Sequence, residues 1–400
     1  MLSQSTSCGS FSVRAGILFL ALFNAQIAFG YGPVGHQIVG AIADQKLANT
    51  PAAEKIKALL DGLTLEGVST YPDEIRGWDK NGPDDPNTFH FSKHPKIDEQ
   101  LRAYWHANPP TKDLNSATPS HHWFHYTDVP VADSEKYGDG QAGRSKWDIV
   151  HMIPYCIAVL KGEVPEDNPR KITKPIAVIL LTHFVGDIHQ PLHVGAQYFD
   201  AQGRPVNPDQ VPEALPDEGG NSLQLKLADA APRRRNPKFH GFWDLDAVNA
   251  NLPLLPDTVP KELRQEKMDL AEKSLTSRLA KVEPKNWQMP ASLPVEDYPE
   301  AWANEILPVA REAHSRLQYE HIQPMVDHEQ TVAGGEIVEP PSHKGESYRE
   351  WAAHTVLEEM HKAGWRLADL LSKLLQPNES VKPEGHASAC PGTAKARPSA

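Results

Sequence analysis

Apolar residues recur at helical spacing over much of this 400-residue chain. Between Pro33 and Leu47, the residues Val34, Ile38, Val39, Ile42 and Leu47 fall at the steps that give a helix one apolar face. Residues 52–60 carry the pattern over a shorter stretch. Residues 147–160 carry it again, with a kink expected at Pro154, whose ring removes a helical hydrogen bond and crowds the preceding turn. Residues 174–190 are apolar on almost every side, the mark of a helix buried in the middle of a fold. Pro175 suits the first turn of that helix and Pro191 stops it. Residues 351–375 form a long amphipathic helix near the end. Strict alternation of apolar and polar residues is scarce, so the pattern predicts an all-α fold, a single mostly helical domain over residues 31–376.

Polar, proline-rich stretches at 83–120, 197–217 and 323–347 separate the helices and read as surface insertions. Residues 377–400, rich in Pro, Ser, Ala and Gly, read as a disordered tail. The first 30 residues differ from the rest. Arg14 is their only charge, a largely apolar run follows it, and Ala28-Phe29-Gly30 supplies small residues at the cleavage positions of a secretory signal peptide. The layout predicts a secreted or periplasmic protein. The run is too short, and its downstream flank too polar, to predict a membrane span in the mature chain.

The net charge is −12, and loss of Arg14 with the leader makes it one unit more negative. A chain this acidic does not hold nucleic acid through bulk charge, since phosphate contacts need a positive surface. Any affinity for a polyanion must come from a local site. Cys156 and Cys390 alone follow the leader, which is no disulfide framework and leaves their pairing open. Asn378-Glu379-Ser380 is a glycosylation sequon.

The chain has 19 histidines, and their spacing matters more than their number. His183 and Asp187 stand four apart in the most apolar helix, so they share a face. Burying a carboxylate and an imidazole demands partners. A structural His–Asp hydrogen bond and a metal ion both answer that demand. The spacing recurs at His240 and Asp244, and His193 follows just beyond Pro191. Two such pairs favour a metal site, because catalytic zinc takes His and carboxylate ligands and keeps a position open for water. Upstream stand His36, Asp73 three residues before Arg76, and His125 in an aromatic run. Each alone is equally compatible with a packed or salt-bridged role.

Taken in order, these residues resemble the zinc-dependent single-strand nucleases, the family of nucleases S-one and P-one. Zinc phospholipase C shares that helical fold. The string His183-Phe184-Val185-Gly186-Asp187-Ile188-His189-Gln190-Pro191-Leu192-His193 is the most specific landmark, and the segment Ala363 to Ala368 resembles the family's last helix. The resemblance implies three zinc ions. The first would be held by Asp73, His125, His183 and Asp187, and the second by His193, His240 and Asp244. The third would be held by the amine and carbonyl of Tyr31, by His36 and by Asp187, which bridges. A water activated between metals would attack phosphorus and release 5′-phosphates. Arg76 would stabilise charge on the phosphoryl oxygens, while Tyr126 and Asp128 would stack on and hydrogen-bond a base.

The implied substrates are single-stranded DNA and RNA and 3′-nucleotides, with no stable protein partner. The alternatives are a phospholipase C-like phosphodiesterase acting on lipid headgroups and a non-enzymatic metal-binding protein. The chain departs from the family in having Tyr31 where Trp is usual, and in longer spacers between Asp73 and His125 and between His193 and His240. Arg233, Arg234 and Arg235 read as a solvated loop, with contact to substrate phosphates as the alternative. His90, His94, His106, His121, His122, His151 and His189 receive no metal role.

Overall fold

The structure, a computed structural model, describes residues 31–111, 118–229, 236–256, 258–327, 330–341 and 345–376. The predicted leader, the tail with Cys390 and the sequon, and the three consecutive arginines lie outside the described residues.

The first helix, α1 (Pro33–Leu47), begins with the proline that fits its first turn. Thr50 caps α2 (Pro51–Leu59) through the Ala53 N–H. Two single-turn helices follow, α3 (Leu65–Val68) and α4 (Tyr71–Glu74). The Asp44 carboxylate of α1 accepts the Leu65 and Glu66 N–H groups, which fastens α3 to α1. Helix α5 (Pro95–Ala107) lies within the stretch read as a surface insertion. Its residues Ile97, Leu101, Tyr104 and Trp105 are buried, so this part of the stretch joins the core.

Asp148 caps α6 (Ile149–Lys161), which contains Pro154 as expected. Thr173 caps α7 (Lys174–Asp187), in which every residue from Ile176 to Asp187 is buried. Each fully buried Val, Leu, Ile or Phe there contributes about 1.5–3 kcal/mol. Helix α7 ends at Asp187, three residues before the expected stop, and Pro191 opens a separate 3₁₀ turn over Pro191–His193.

Short helices α8 (Phe239–Gly241) and α9 (Ala247–Asn249) are joined by a π-helical turn over Phe242–Asp246. Helices α10 (Lys261–Lys281) and α11 (Tyr298–Ser315) are additions to the pattern read from the sequence. Helix α12 (Tyr348–Leu375) starts at a capping box between Ser347 and Glu350 and packs along α1 and α7.

The fold is mostly helical, but the all-α expectation needs one correction. Strands β1 (Val129–Pro130) and β2 (Gly195–Ala196) pair in parallel. Strands β3 (Tyr198–Phe199), β4 (Pro205–Val206) and β5 (Leu215–Pro216) form a small antiparallel sheet within residues 197–217. Strand β6 (Leu223–Lys226) pairs in parallel with β8 (Gln330–Val338), which forms a long hairpin with β7 (Gln318–Asp327). That hairpin occupies much of the stretch read as a polar insertion. Its period-two signal is broken by a register shift between Glu320 and Gln323, by Pro324 and by Gly334-Gly335. The β1–β2 pair bears most on function. It sets the chain after His125 beside the chain after His193, with Thr127 N–H donating to the His193 carbonyl at 2.9 Å.

Candidate metal centre

Asp187 is the last residue of α7 and is fully buried. A carboxylate there sits at the negative end of its own helix and out of reach of bulk solvent, so it needs cationic or donor groups around it. Four histidines approach it. His36 Nε2 lies 3.2 Å from Oδ1, His125 Nδ1 lies 3.0 Å from Oδ2, and His183 Nε2 lies 3.2 Å from Oδ2. His193 Nδ1 is 3.8 Å from Oδ1. Burial opposes the charge on Asp187, but His183 and His193 outweigh it and hold the carboxyl well below its ordinary range. His183 shows the reciprocal effect. Burial depresses it, while Asp187 and Asp73 raise it to about 9.

Asp73 comes from α4 and is buried beside the same group. Its Oδ1 is 3.7 Å from His183 Nε2, 3.8 Å from His125 Nδ1 and 3.5 Å from the Arg76 guanidinium. Across the site, His193 Nε2 and His240 Nε2 lie 3.2 Å apart, and His240 Nε2 is 3.4 Å from Asp244 Oδ2. The π-helical turn begins two residues after His240 and contains Asp244, a distortion that recurs at functional sites.

Backbone carbonyls fix the tautomers. His183 Nδ1 faces Ser69 O at 2.7 Å, His193 Nδ1 faces His125 O at 2.9 Å, and His240 Nδ1 faces Gly219 O at 2.7 Å. A carbonyl can only accept, so each of these nitrogens carries a proton, and in a neutral ring Nε2 then presents its lone pair inward. His183, raised to about 9 by Asp187 and Asp73, frees its Nε2 lone pair when a metal displaces that proton. The lone pairs of His193 and His240 then oppose each other. Burial and His193 hold His240 down to about 3, so protonation does not relieve the conflict there. Burial together with Asp187 and Asp73 pushes the Asp244 carboxyl well above its ordinary range. A cation satisfies all three groups at once. A tetrahedral zinc with bonds of about 2.1 Å separates its ligand atoms by about 3.4 Å, and the observed separations match. Buried atoms on His36, Asp73 and Asp187 that make ion-pair contacts but no hydrogen bond fit the same reading.

The residues singled out from the sequence therefore form three convergent groups: His36, His183 and Asp187; Asp73, His125 and His183; and His193, His240 and Asp244. Tyr31 is fully buried, its phenol donates to His189 O at 2.7 Å, and Gly32 N–H donates to Asp244 O at 2.8 Å. The start of the described chain thus lies against the His240–Asp244 segment. Tyr126 and Asp128 are half-buried one and three residues beyond His125. Burial, Glu218 and Asp148 push the Asp128 carboxyl up to about 7.

His189 turns away from the cluster, donating from Nδ1 to Val185 O and accepting from Arg366 at 2.9 Å. Gln190 was given no role from the sequence, yet its amide donates to Asp244 Oδ1 at 2.8 Å. The orienting carbonyls of Ser69, His125 and Gly219 were equally absent from that reading. They are backbone atoms, and residue identity does not announce them.

The sequence profile of the S1/P1 nuclease family matches residues 31–376. Three relatives from Arabidopsis thaliana align at low identity. Endonuclease 2 is 22% identical over 62% of this chain and 69% of its own length. Endonuclease 1 is 29% identical over 61% of each. Endonuclease 4 is 25% identical over 36% of this chain and 47% of its own length. Among the described residues, no helix is long and apolar enough to cross a membrane.

Proposed function

Given that the chain belongs to the S1/P1 nuclease family, a family of phosphodiester hydrolases, we propose that it is a secreted trinuclear zinc endonuclease and 3′-nucleotidase. Its substrates are single-stranded DNA and RNA, cleaved to 5′-phosphates. The supporting observation is the convergence of the His183, His193 and His240 rings, each oriented by a backbone carbonyl, with the buried carboxylates of Asp73, Asp187 and Asp244. Asp73, His125, His183 and Asp187 would hold one zinc, His193, His240 and Asp244 a second, and the Tyr31 backbone, His36 and Asp187 the third. Bound zinc supplies Lewis acidity, which makes water nucleophilic at neutral pH and neutralises charge on a phosphoryl group.

The chain's own residues do the rest. Asp187, shared by His36, His125 and His183, fixes the clusters relative to each other. Arg76, held near Asp73, meets the charge that develops on the phosphoryl oxygens. Tyr126 offers a ring on which any base stacks, which suits broad substrate choice, and Asp128 hydrogen-bonds the base edge. Single strands bend a phosphate into a recessed site more easily than duplexes do. The predicted leader, residues 1–30, lies outside the described residues, and cleavage after Gly30 would free the Tyr31 amine as a ligand.

The test is to incubate the zinc-loaded chain with defined single-stranded DNA and RNA oligonucleotides and identify the products. Fragments with 5′-phosphates are expected. Intact oligonucleotides, with phosphocholine released from short-chain lecithin instead, would overturn the nuclease reading. A chain extended by one residue before Tyr31 is expected to lose one zinc equivalent.

A further inference from the structure

A second convergence of His and Asp lies outside these clusters. Asp79 follows the 3₁₀ turn Ile75–Trp78, and His121 and His122 open the turn His121–His125. His121 Nε2 is 3.2 Å from Asp79 Oδ1, and His122 Nε2 is 2.6 Å from Oδ2. One ligand atom from each residue falls within 4.8 Å of the other two. Trp105 Nε1–H donates to Asp79 Oδ1 at 2.9 Å, the kind of outer bond that orients a ligating carboxylate. The His121 side chain is buried, whereas that of His122 is 34% exposed, so the group is closed on one side and open to solvent on the other.

The placement repeats that of the inner site. One segment supplies Asp73 and then Asp79, with Arg76 between them. The other supplies His121 and His122 and then His125. The two segments thus meet at two separate His/Asp groups. Two imidazoles and one carboxylate with a solvent-facing side are the donor set of an open zinc site. The competing arrangement is a purely hydrogen-bonded group in which Asp79 accepts three N–H bonds and no metal enters.

We propose that Asp79, His121 and His122 form a further divalent-metal site of the zinc class, with one coordination position open beside His122. The proposal is independent of the trinuclear reading, because none of its ligands belongs to the inner clusters.

The test strips the full chain with a chelator, reloads it with zinc, desalts it and measures zinc per chain. His122→Ala is expected to carry one equivalent fewer than the parent. His122→Cys, which restores a zinc ligand, is expected to keep that equivalent. Loaded with cobalt instead, it should show a cobalt–thiolate charge-transfer band absent from the parent. Equal zinc in parent and His122→Ala overturns the proposal, and so does the absence of the thiolate band in a His122→Cys chain with the parent's near-ultraviolet circular dichroism. The inner reading fails separately, through a His240→Ala chain that keeps full zinc and full activity.

Discussion

Replacing Asp187 with Asn keeps the volume of the side chain and removes its charge. The residue is fully buried and three imidazoles lie within 3.2 Å of its two oxygens. Asn offers one acceptor oxygen, and its NH₂ has no lone pair to give to a metal or to the His183 N–H, whose charge Asp187 supports. Removing one member of a buried charged set costs about 3–5 kcal/mol, or roughly 10²- to 10⁴-fold in affinity at about 1.4 kcal/mol per decade. Two of the proposed zincs share this carboxylate, so both are expected to weaken. The assay measures zinc per chain after desalting, then single-strand cleavage with zinc in excess. The expected outcome is at least one equivalent lost and activity reduced by about 10³-fold or more. Circular dichroism should stay close to the parent, because the apolar packing of α7 is untouched. A variant that retains its zinc and cleaves at near-parent rates would refute the bridging role of Asp187.

Three further outcomes test other parts of the argument. Gly219 has φ +59, and a Cβ there would come within 2.4 Å of Leu192 O. Gly219→Ala should therefore displace the carbonyl that orients His240, cost about 1–2 kcal/mol in backbone strain, and lower zinc affinity about 10- to 100-fold in chelator competition. Tyr126→Ala should raise KM for oligonucleotides about 5- to 150-fold, the loss of one base stack. Hydrolysis of bis(p-nitrophenyl) phosphate, which has no base, should stay unchanged, and equal losses on both substrates would count against the stacking role. The Glu272 carboxyl is pushed up to about 7 by burial, Glu66 and Asp269, from an ordinary 4.5. Its folded pKa is the higher one, so its contribution to stability is full below 4.5 and lost as pH rises through 7. Glu272→Gln should thus raise Tm more at about pH 8 than at about pH 5, and an equal gain at both would contradict the raised pKa.

Some elements were hidden from the sequence for physical reasons. The N-terminal half of α10 stands largely in solvent, with Leu263 and Leu270 exposed, so it has no apolar stripe to read. Helix α11 does have one, through Trp302, Ile306 and Ala310, but Pro308 lies inside it. The π-helical turn over Phe242–Asp246 also escapes a rule based on 3.6 residues per turn, although the four-residue spacing of His240 and Asp244 survived it.

The chain by itself determined the helical frame and the inventory of metal-type donors. Those signals are local: apolar residues one turn apart, and His and Asp four apart in segments too apolar to leave them unpartnered. The tertiary structure decided how the donors face. It brought Asp73 and His125 to α7 from distant segments, and it set three backbone carbonyls against the Nδ1 atoms of three imidazoles so that their Nε2 atoms face the carboxylates. It also drew Asp79 to His121 and His122, which no spacing rule connects. A carbonyl is the same atom in every residue, and contacts between residues so far apart in the chain depend on packing, so only the folded chain could make those choices.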